Sequence, residues 1–210
     1  MDKSTLRKIF LEKRGLITAE DARQAGEAMA ALLSGGKFWE ETRSVFCFIS
    51  VDGEPDTSPI ILNAIRNGKT VCVPRTGKGR RLEAVPVTGE PDTLPLAIGE
   101  LNSGAISQLT KDWPLFYGIP EPPASYKAIG AELLDLVIVP SLAVDIWGRR
   151  LGHGGGYYDH FIAQFQAVKK RPLFAAIQFS ALVQKDPLPY EEHDMKVDLI
   201  VTEKEIRVIY

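Results

Sequence analysis

Cysteine is scarce in this 210-residue chain: Cys47 and Cys72 both sit in apolar, strand-like runs, with no Cys-x-x-Cys spacing. That argues against a disulfide framework or a thiolate metal site and leaves two buried, reduced thiols. Charge of one sign is not in excess either. Twenty-five basic against 27 acidic residues give a net charge of −2, so no global attraction to nucleic acid or anionic lipid is expected. No run is apolar enough to span a bilayer, and the charged, helix-like N-terminus is not a signal peptide. Internal repeats, low-complexity tracts and a clear interdomain linker are missing too. What remains is a chain that is 45% hydrophobic and can bury a sizeable core. One domain over residues 1–210, in the cytoplasm, is the expectation.

The most informative stretch covers residues 133–165. It begins with Leu136-Val137-Ile138-Val139, an apolar run stopped by Pro140, which reads as a strand buried on both faces. It ends with Tyr157, Phe161, Phe165 and Val168 at helical spacing, so a helix is expected to open near Tyr157. Between them lie Gly148, Gly152, Gly154, Gly155 and Gly156, with Arg149 and Arg150. A backbone without side chains approaches a ligand closely and presents N–H groups to it, which suits phosphate. The alternative is a structural loop, although a tight turn alone needs only one or two glycines. No Gly-Lys-Ser/Thr follows, so this is not a Walker A loop. The glycines also come too late after the strand for the dinucleotide fingerprint.

Residues 2–16 read as a helix in which Lys3, Arg7 and Arg14 share a side with Leu6, Phe10 and Leu11, while Lys8 and Glu12 lie opposite. Such cations either snorkel past a core edge or reach an anion. A second helix starts at Thr18, with Asp21 completing a capping box, and stops at Gly35-Gly36. Residues 45–49, a helix over 58–66 and residues 70–74 form a strand–helix–strand unit, hence a right-handed crossover and a parallel sheet. Ligands collect beyond the carboxyl ends of such strands, where both the Glu54 loop and the glycine loop leave. Val85 and Val87 suggest a short strand, and residues 173–177 and 199–201 complete the sheet. Arg75, Lys78, Arg80 and Arg81 read as a solvated basic turn, with an anion site as the alternative. The proline- and aromatic-rich run 113–123 reads as a loop packed on the core, with ring stacking on a flat ligand as the alternative. Glu191, Glu192 and Asp194 form an acidic loop, of a kind that holds Mg²⁺ when a polyphosphate is near.

These pieces, in order, resemble the 5-formyltetrahydrofolate cyclo-ligase family, also called methenyltetrahydrofolate synthetases. Lys3-x-x-Leu6-Arg7 with Arg14 is similar to its N-terminal signature, and Glu54-Pro55-Asp56-Thr57 to its E-x-D-T loop. Gly118-Ile119-Pro120-Glu121-Pro122 resembles its G-I-x-E-P segment. The run from Pro140 to Asp159, with R-L-G-x-G-G-G-Y-Y-D, is the most specific match, and His193-Asp194 with Val197-Asp198 and Val201-Thr202-Glu203 resembles the C-terminal signature. The resemblance implies a three-layer α/β/α sandwich with a mainly parallel central sheet and the N-terminal helices packed on it. It implies ATP binding by Lys3, Ser4, Thr5, Leu6 and Arg7, and by Arg150, Leu151, Gly152, His153, Gly154, Gly155, Gly156, Tyr157 and Tyr158. Folate would meet Ile49, Glu54, Tyr117, His153, Gly154, Gly155, Gly156 and Tyr157. Asp159 and Asp194 would hold Mg²⁺, and Arg150 and Tyr157 would be catalytic. Arg14 and Arg75 are further candidates for a phosphate or a folate glutamate tail, with surface roles as the alternative. The expected partners are the small molecules ATP and reduced folate, with no nucleic acid or membrane, in a monomer or weak dimer. Two departures stand out: Leu182 or Val183 where the family often has Gln, with Gln184 displaced, and His153 where the loop often carries Tyr, Arg or Met.

Overall fold

The computed structural model describes residues 1–51, 53–87, 104–166 and 170–209; Asp52 and Val168 lie outside them. Helix α1 (Lys3–Arg14) is capped by Asp2, whose carboxylate accepts from the Thr5 N–H. Helix α2 (Ala19–Ser34) opens on the Thr18/Asp21 capping box and ends at Gly35, and α3 (Lys37–Glu41) follows at once. Next come β1 (Ser44–Phe46), α4 (Ser58–Arg66), β2 (Thr70–Thr76) and β3 (Leu82–Pro86). After α5 (Ala105–Thr110), the short hairpin β4 (Leu115–Phe116) and β5 (Ile119–Pro120) precedes β6 (Leu136–Val139). The rest is β7 (Ala143–Asp145), β8 (Arg150–Leu151), α6 (Tyr157–Ala163), β9 (Leu173–Ile177), β10 (Val183–Gln184), β11 (Leu199–Val201) and β12 (Ile206–Val208).

The main sheet has the order β12-β11-β9-β6-β1-β2-β3. Its five inner strands pair in parallel, and β12 and β3 close the two edges antiparallel. The pleat sends alternate residues to opposite faces. Val45, Val71, Leu136 and Ile138 join one apolar cluster with Phe10, Met29, Leu33 and Ile60 of α1, α2 and α4. Phe46, Cys72, Val137 and Val139 join the other, with Phe161 and Ile162 of α6. Strands that read as continuous apolar runs are therefore covered on both sides, as a three-layer α/β/α arrangement requires. Both thiols are free; burial pushes Cys72 up to about 12 and raises Cys47 as well. No helix among the described residues is long and apolar enough to cross a membrane.

Three sequence expectations are corrected. Leu11, assigned to the apolar side of α1, is 48% exposed; of the helix's side chains only Phe10 and Arg14 are buried. Helix α6 ends at Ala163, so Phe165 packs from a turn instead of the helix. Between β6 and α6 there is more than a loop: β7 and β8 form a hairpin, and β10 adds a third strand. Two- and three-residue strands leave no periodicity to read. This hairpin is set instead by the fully buried Asp145 carboxylate, which accepts from the N–H groups of Trp147, Arg149 and Leu188.

Helix α2 also fixes the loop after β1. The Asp56 N–H donates to Ala22 O, and a Cβ added at Gly26 would collide with the Asp56 carbonyl oxygen. Gly26→Ala gains helix propensity but overpacks a backbone contact. Its midpoint in urea should fall by the equivalent of about 1–3 kcal/mol.

Candidate active site

A cleft of about 1370 Å³ opens beyond the carboxyl ends of β1, β2 and β6. That exceeds the ~300–1,000 Å³ typical of a pocket for one small molecule, so there is room for two substrates. Lys3 and Arg7 of α1 form one wall; Ile49 and Glu54, after β1, lie deeper. The β2–β3 turn and the β4–β5 hairpin form the opposite wall, residues 150–159 the floor, and residues 191–195 the rim.

Two glycines of the floor have separate reasons. At Gly154 φ is +100°, a conformation L side chains rarely adopt, and a Cβ there would meet the Arg7 guanidinium at 3.4 Å. At Gly155 a Cβ would stand 2.9 Å from the Tyr157 ring. Arg7 Nε donates to Gly152 O at 2.9 Å and ties the loop to α1. The loop is thus a close-packed floor as well as a side-chain-free one, and the structural and ligand readings of its glycines both apply.

Three charge clusters surround it. Deep in the cleft, Arg14 Nη2 lies 3.4 Å from Glu54 Oε1 with both side chains buried, and Arg14 Nε donates to Gly53 O at 2.7 Å. His153 Nε2 joins from the glycine loop, 3.4 Å from Arg14 Nη1 and 3.7 Å from Glu54 Oε1. At the rim, Lys3 Nζ donates to Asp194 at 2.6 Å and lies 3.1 Å from Glu191. Burial is the largest single influence on both members of the Lys3–Asp194 pair and opposes their charge, but the hydrogen bond between them, further hydrogen bonds and the neighbouring charges together outweigh it. Lys3 consequently sits above its ordinary pKa and Asp194 below. Beneath, Arg150 Nη2 donates to Asp159 Oδ1 at 2.7 Å, and the same oxygen accepts from Met195 N–H at 3.0 Å. The Asp159 carboxylate is thereby brought beside the residue that follows Asp194. Among the described residues, Arg150 Nε and the Tyr158 hydroxyl are buried without a hydrogen-bond partner.

The chain has recognisable relatives. A sequence profile described as the 5-formyltetrahydrofolate cyclo-ligase family matches residues 1–203. The chain belongs to that family. It is 30% identical over 189 residues to the 5-formyltetrahydrofolate cyclo-ligase of Saccharomyces cerevisiae, covering 88% of this chain and 85% of the yeast protein. It is 29% identical over 196 residues to the enzyme of that name from Escherichia coli K12, covering 93% and 97%. Among solved structures, the Aquifex aeolicus 5,10-methenyltetrahydrofolate synthetase superposes with a TM-score of 0.75 at 27% identity, over 100% of this chain and 93% of that one.

In this cyclo-ligase family member, the cleft, lined also by the β2–β3 turn, brings together Lys3, Arg7, Ile49, Glu54, Tyr117, residues 150–159 and Asp194 from five other segments. Ser4 and Thr5 are exposed beside the Asp2 cap, and Leu6 lines a neighbouring groove. Arg14 and Arg75 are not free anion receptors. Arg14 is occupied by Glu54, while Arg75 pairs with Glu83 and donates to the carbonyls of Pro123 and Tyr126, anchoring the proline-rich run. Of that run, Trp113 is buried, but Tyr117 stands 88% exposed at the cleft with φ +50°, which favours the ligand-facing reading over a packed loop. Thr76, Arg80 and Met195 were not among the residues expected at the site. The only signal for Arg80 is the Gly77-Lys78-Gly79-Arg80 turn, which polarity alone assigns to solvent.

Stripping the charge from Arg14 leaves Glu54 buried without its partner. Arg14→Met should lower unfolding stability by about 3 kcal/mol. Adding Glu54→Gln should recover part of that loss in urea unfolding, because the uncompensated charge is then gone.

Proposed function

We propose that the protein converts 5-formyltetrahydrofolate to 5,10-methenyltetrahydrofolate at this cleft, consuming ATP and releasing ADP and phosphate. The observation that carries the reading is the meeting, around one side-chain-poor floor, of a cationic helix and a buried carboxylate node within a space large enough for two substrates. ATP lies on the side of Lys3 and Arg7, along residues 150–158. The folate lies toward Ile49, Glu54 and Tyr117, with residues 153–157 between the two.

The N5 formyl group is an amide, and ring closure requires its oxygen to leave. Oxide is too basic to depart, so the formyl oxygen first takes the terminal phosphoryl group of ATP. N10 then attacks the formyl carbon and gives up its proton, and the oxygen departs as phosphate. Phosphoryl transfer asks the protein for positioning and charge neutralisation, and no Ser/His/Asp nucleophile set is needed. Arg150 is suited to this because its fork is aimed by Asp159 from a buried position, and the Tyr157 ring, packed under Gly155, shapes the floor. The unpartnered Tyr158 hydroxyl, which burial holds in its neutral form, can donate into the site.

The donor set suits Mg²⁺. Among the described residues no group of three or more His, Cys, Asp and Glu side chains could hold a metal by themselves. Asp159 and Asp194 instead supply two hard oxygen ligands, the number used when phosphate oxygens and water complete the shell. The cation would neutralise phosphate charge when bound. Lys3 and Asp194 neutralise each other across the rim; with Mg-nucleotide bound, Lys3 would meet phosphate and Asp194 would hold the cation.

Purified protein with 5-formyltetrahydrofolate, ATP and Mg²⁺ should develop the near-ultraviolet absorbance of the methenyl product, with one ADP per product. Absence of that absorbance across pH and metal conditions would overturn the reading. Asp194→Asn should depress turnover at limiting Mg²⁺ by about tenfold or more, with little change in melting temperature, since a rim carboxylate holds little of the fold. Equal losses of both would make Asp194 structural.

A further inference from the structure

The cations of the cleft are not equivalent. Lys3 is compensated by Asp194 and Glu191, Arg14 by Glu54, and Arg150 by Asp159. Arg80 lines the same cleft and, among the described residues, has no carboxylate within ion-pair reach. It projects from the β2–β3 turn, on the wall opposite α1, and a Cβ added at Gly156 would lie 3.7 Å from Arg80 Nη1. Arg7 stands in the same relation to Gly154, with a would-be Cβ 3.4 Å from its Cζ. Two arginines from different segments therefore approach the bare stretch of floor, Arg7 at Gly154 and Arg80 at Gly156.

The backbone of Arg80 carries the second observation. The turn places Gly79 at φ +71° and Arg80 at φ +63°. Consecutive left-handed residues suit a tight hairpin, and Asn or Gly normally occupies them. An arginine there is strained, and strain of this kind collects at ligand clamps. Nothing in the packing of the turn asks for a guanidinium, because the side chain is exposed and makes no hydrogen bond among the described residues.

We propose that Arg80 is a further catalytic residue, which contacts the phosphoryl group in flight across the glycine floor from Arg7. The inference rests on the reaction proposed above. As the formyl oxygen bonds to the terminal phosphorus, the bond to the bridging oxygen breaks and its electron pair leaves on ADP. Charge then spreads over the three equatorial oxygens, and a planar five-donor fork on each side matches it.

The test is Arg80→Gly, with Arg80→Lys beside it, in the full chain with MgATP and 5-formyltetrahydrofolate. Arg80→Gly should lower kcat about 100-fold or more, with KM for both substrates within a few-fold. Its melting temperature should be unchanged or about 2 °C higher, because the strain is relieved. Arg80→Lys, which keeps the charge and loses the fork, should fall between. Wild-type kcat in Arg80→Gly would overturn the role. So would a melting temperature that falls in step with activity, which would mark a structural residue. A rise in KM confined to folates with longer glutamate tails, with kcat intact, would overturn it in favour of a carboxylate contact. The wild type assayed alongside separates the two levels: an inactive wild type removes the reaction and this role together, whereas an active wild type with an equally active Arg80→Gly removes the role alone.

Discussion

A buried guanidinium holds the active cleft together. Arg14, at the last turn of α1, reaches the Gly53 carbonyl and the Glu54 carboxylate of one loop and His153 of the other. Phe10 is the only other buried side chain of that helix, so hydrophobic burial alone would attach α1 weakly. Its position comes from charge: Arg14 below, Arg7 on Gly152 O in the middle and Lys3 on Asp194 at the top. Buried ion pairs add little net stability compared with apolar packing, but removing one partner costs a great deal. They tolerate one arrangement only, and that is what a cleft built from six distant segments requires.

The same economy governs the chemistry. Transfer of a phosphoryl group to an amide oxygen needs positive charge where oxygens will crowd, and it needs that charge already in place. Here Lys3, Arg150 and Arg14 are fixed by carboxylates, two of which, Asp159 and Asp194, are also the oxygen donors proposed for the cation. Under that proposal the counter-charges serve twice, as anchors in the free protein and as metal ligands in the complex. Backbone, not side chain, forms the floor on which the proposed phosphates would rest. The glycines keep that surface bare, while Arg7 and the Tyr157 ring pack close against it.

Much of the scaffold was legible because its causes are local. The Thr18/Asp21 box, the Gly35 stop and the apolar runs at β1, β2, β6, β9 and β11 each carry their own signal, and the alternation of strand and helix implied a parallel sheet. The glycine run and the cations of α1 were likewise recognisable as parts of a site. What escaped was set by contacts across long sequence distances. The β7–β8 hairpin depends on where Asp145 finds its three N–H donors. Arg14 and Arg75 looked like free anion receptors, because a sequence shows a cation but not the Glu54 or Glu83 that neutralises it. Arg80 looked like a solvated turn residue for the converse reason.

By itself the sequence determined the parallel strands of the main sheet and the helices α1, α2 and α4, which loops would leave the reactive edge of the sheet, and which family chemistry those loops resemble. These follow from periodicity, capping and backbone freedom, all properties of neighbours along the chain. Only the tertiary structure decided which cations are spent on internal carboxylates and which remain to meet an anion. Charge compensation depends on distances of a few ångströms between residues far apart in sequence, and no local pattern encodes them.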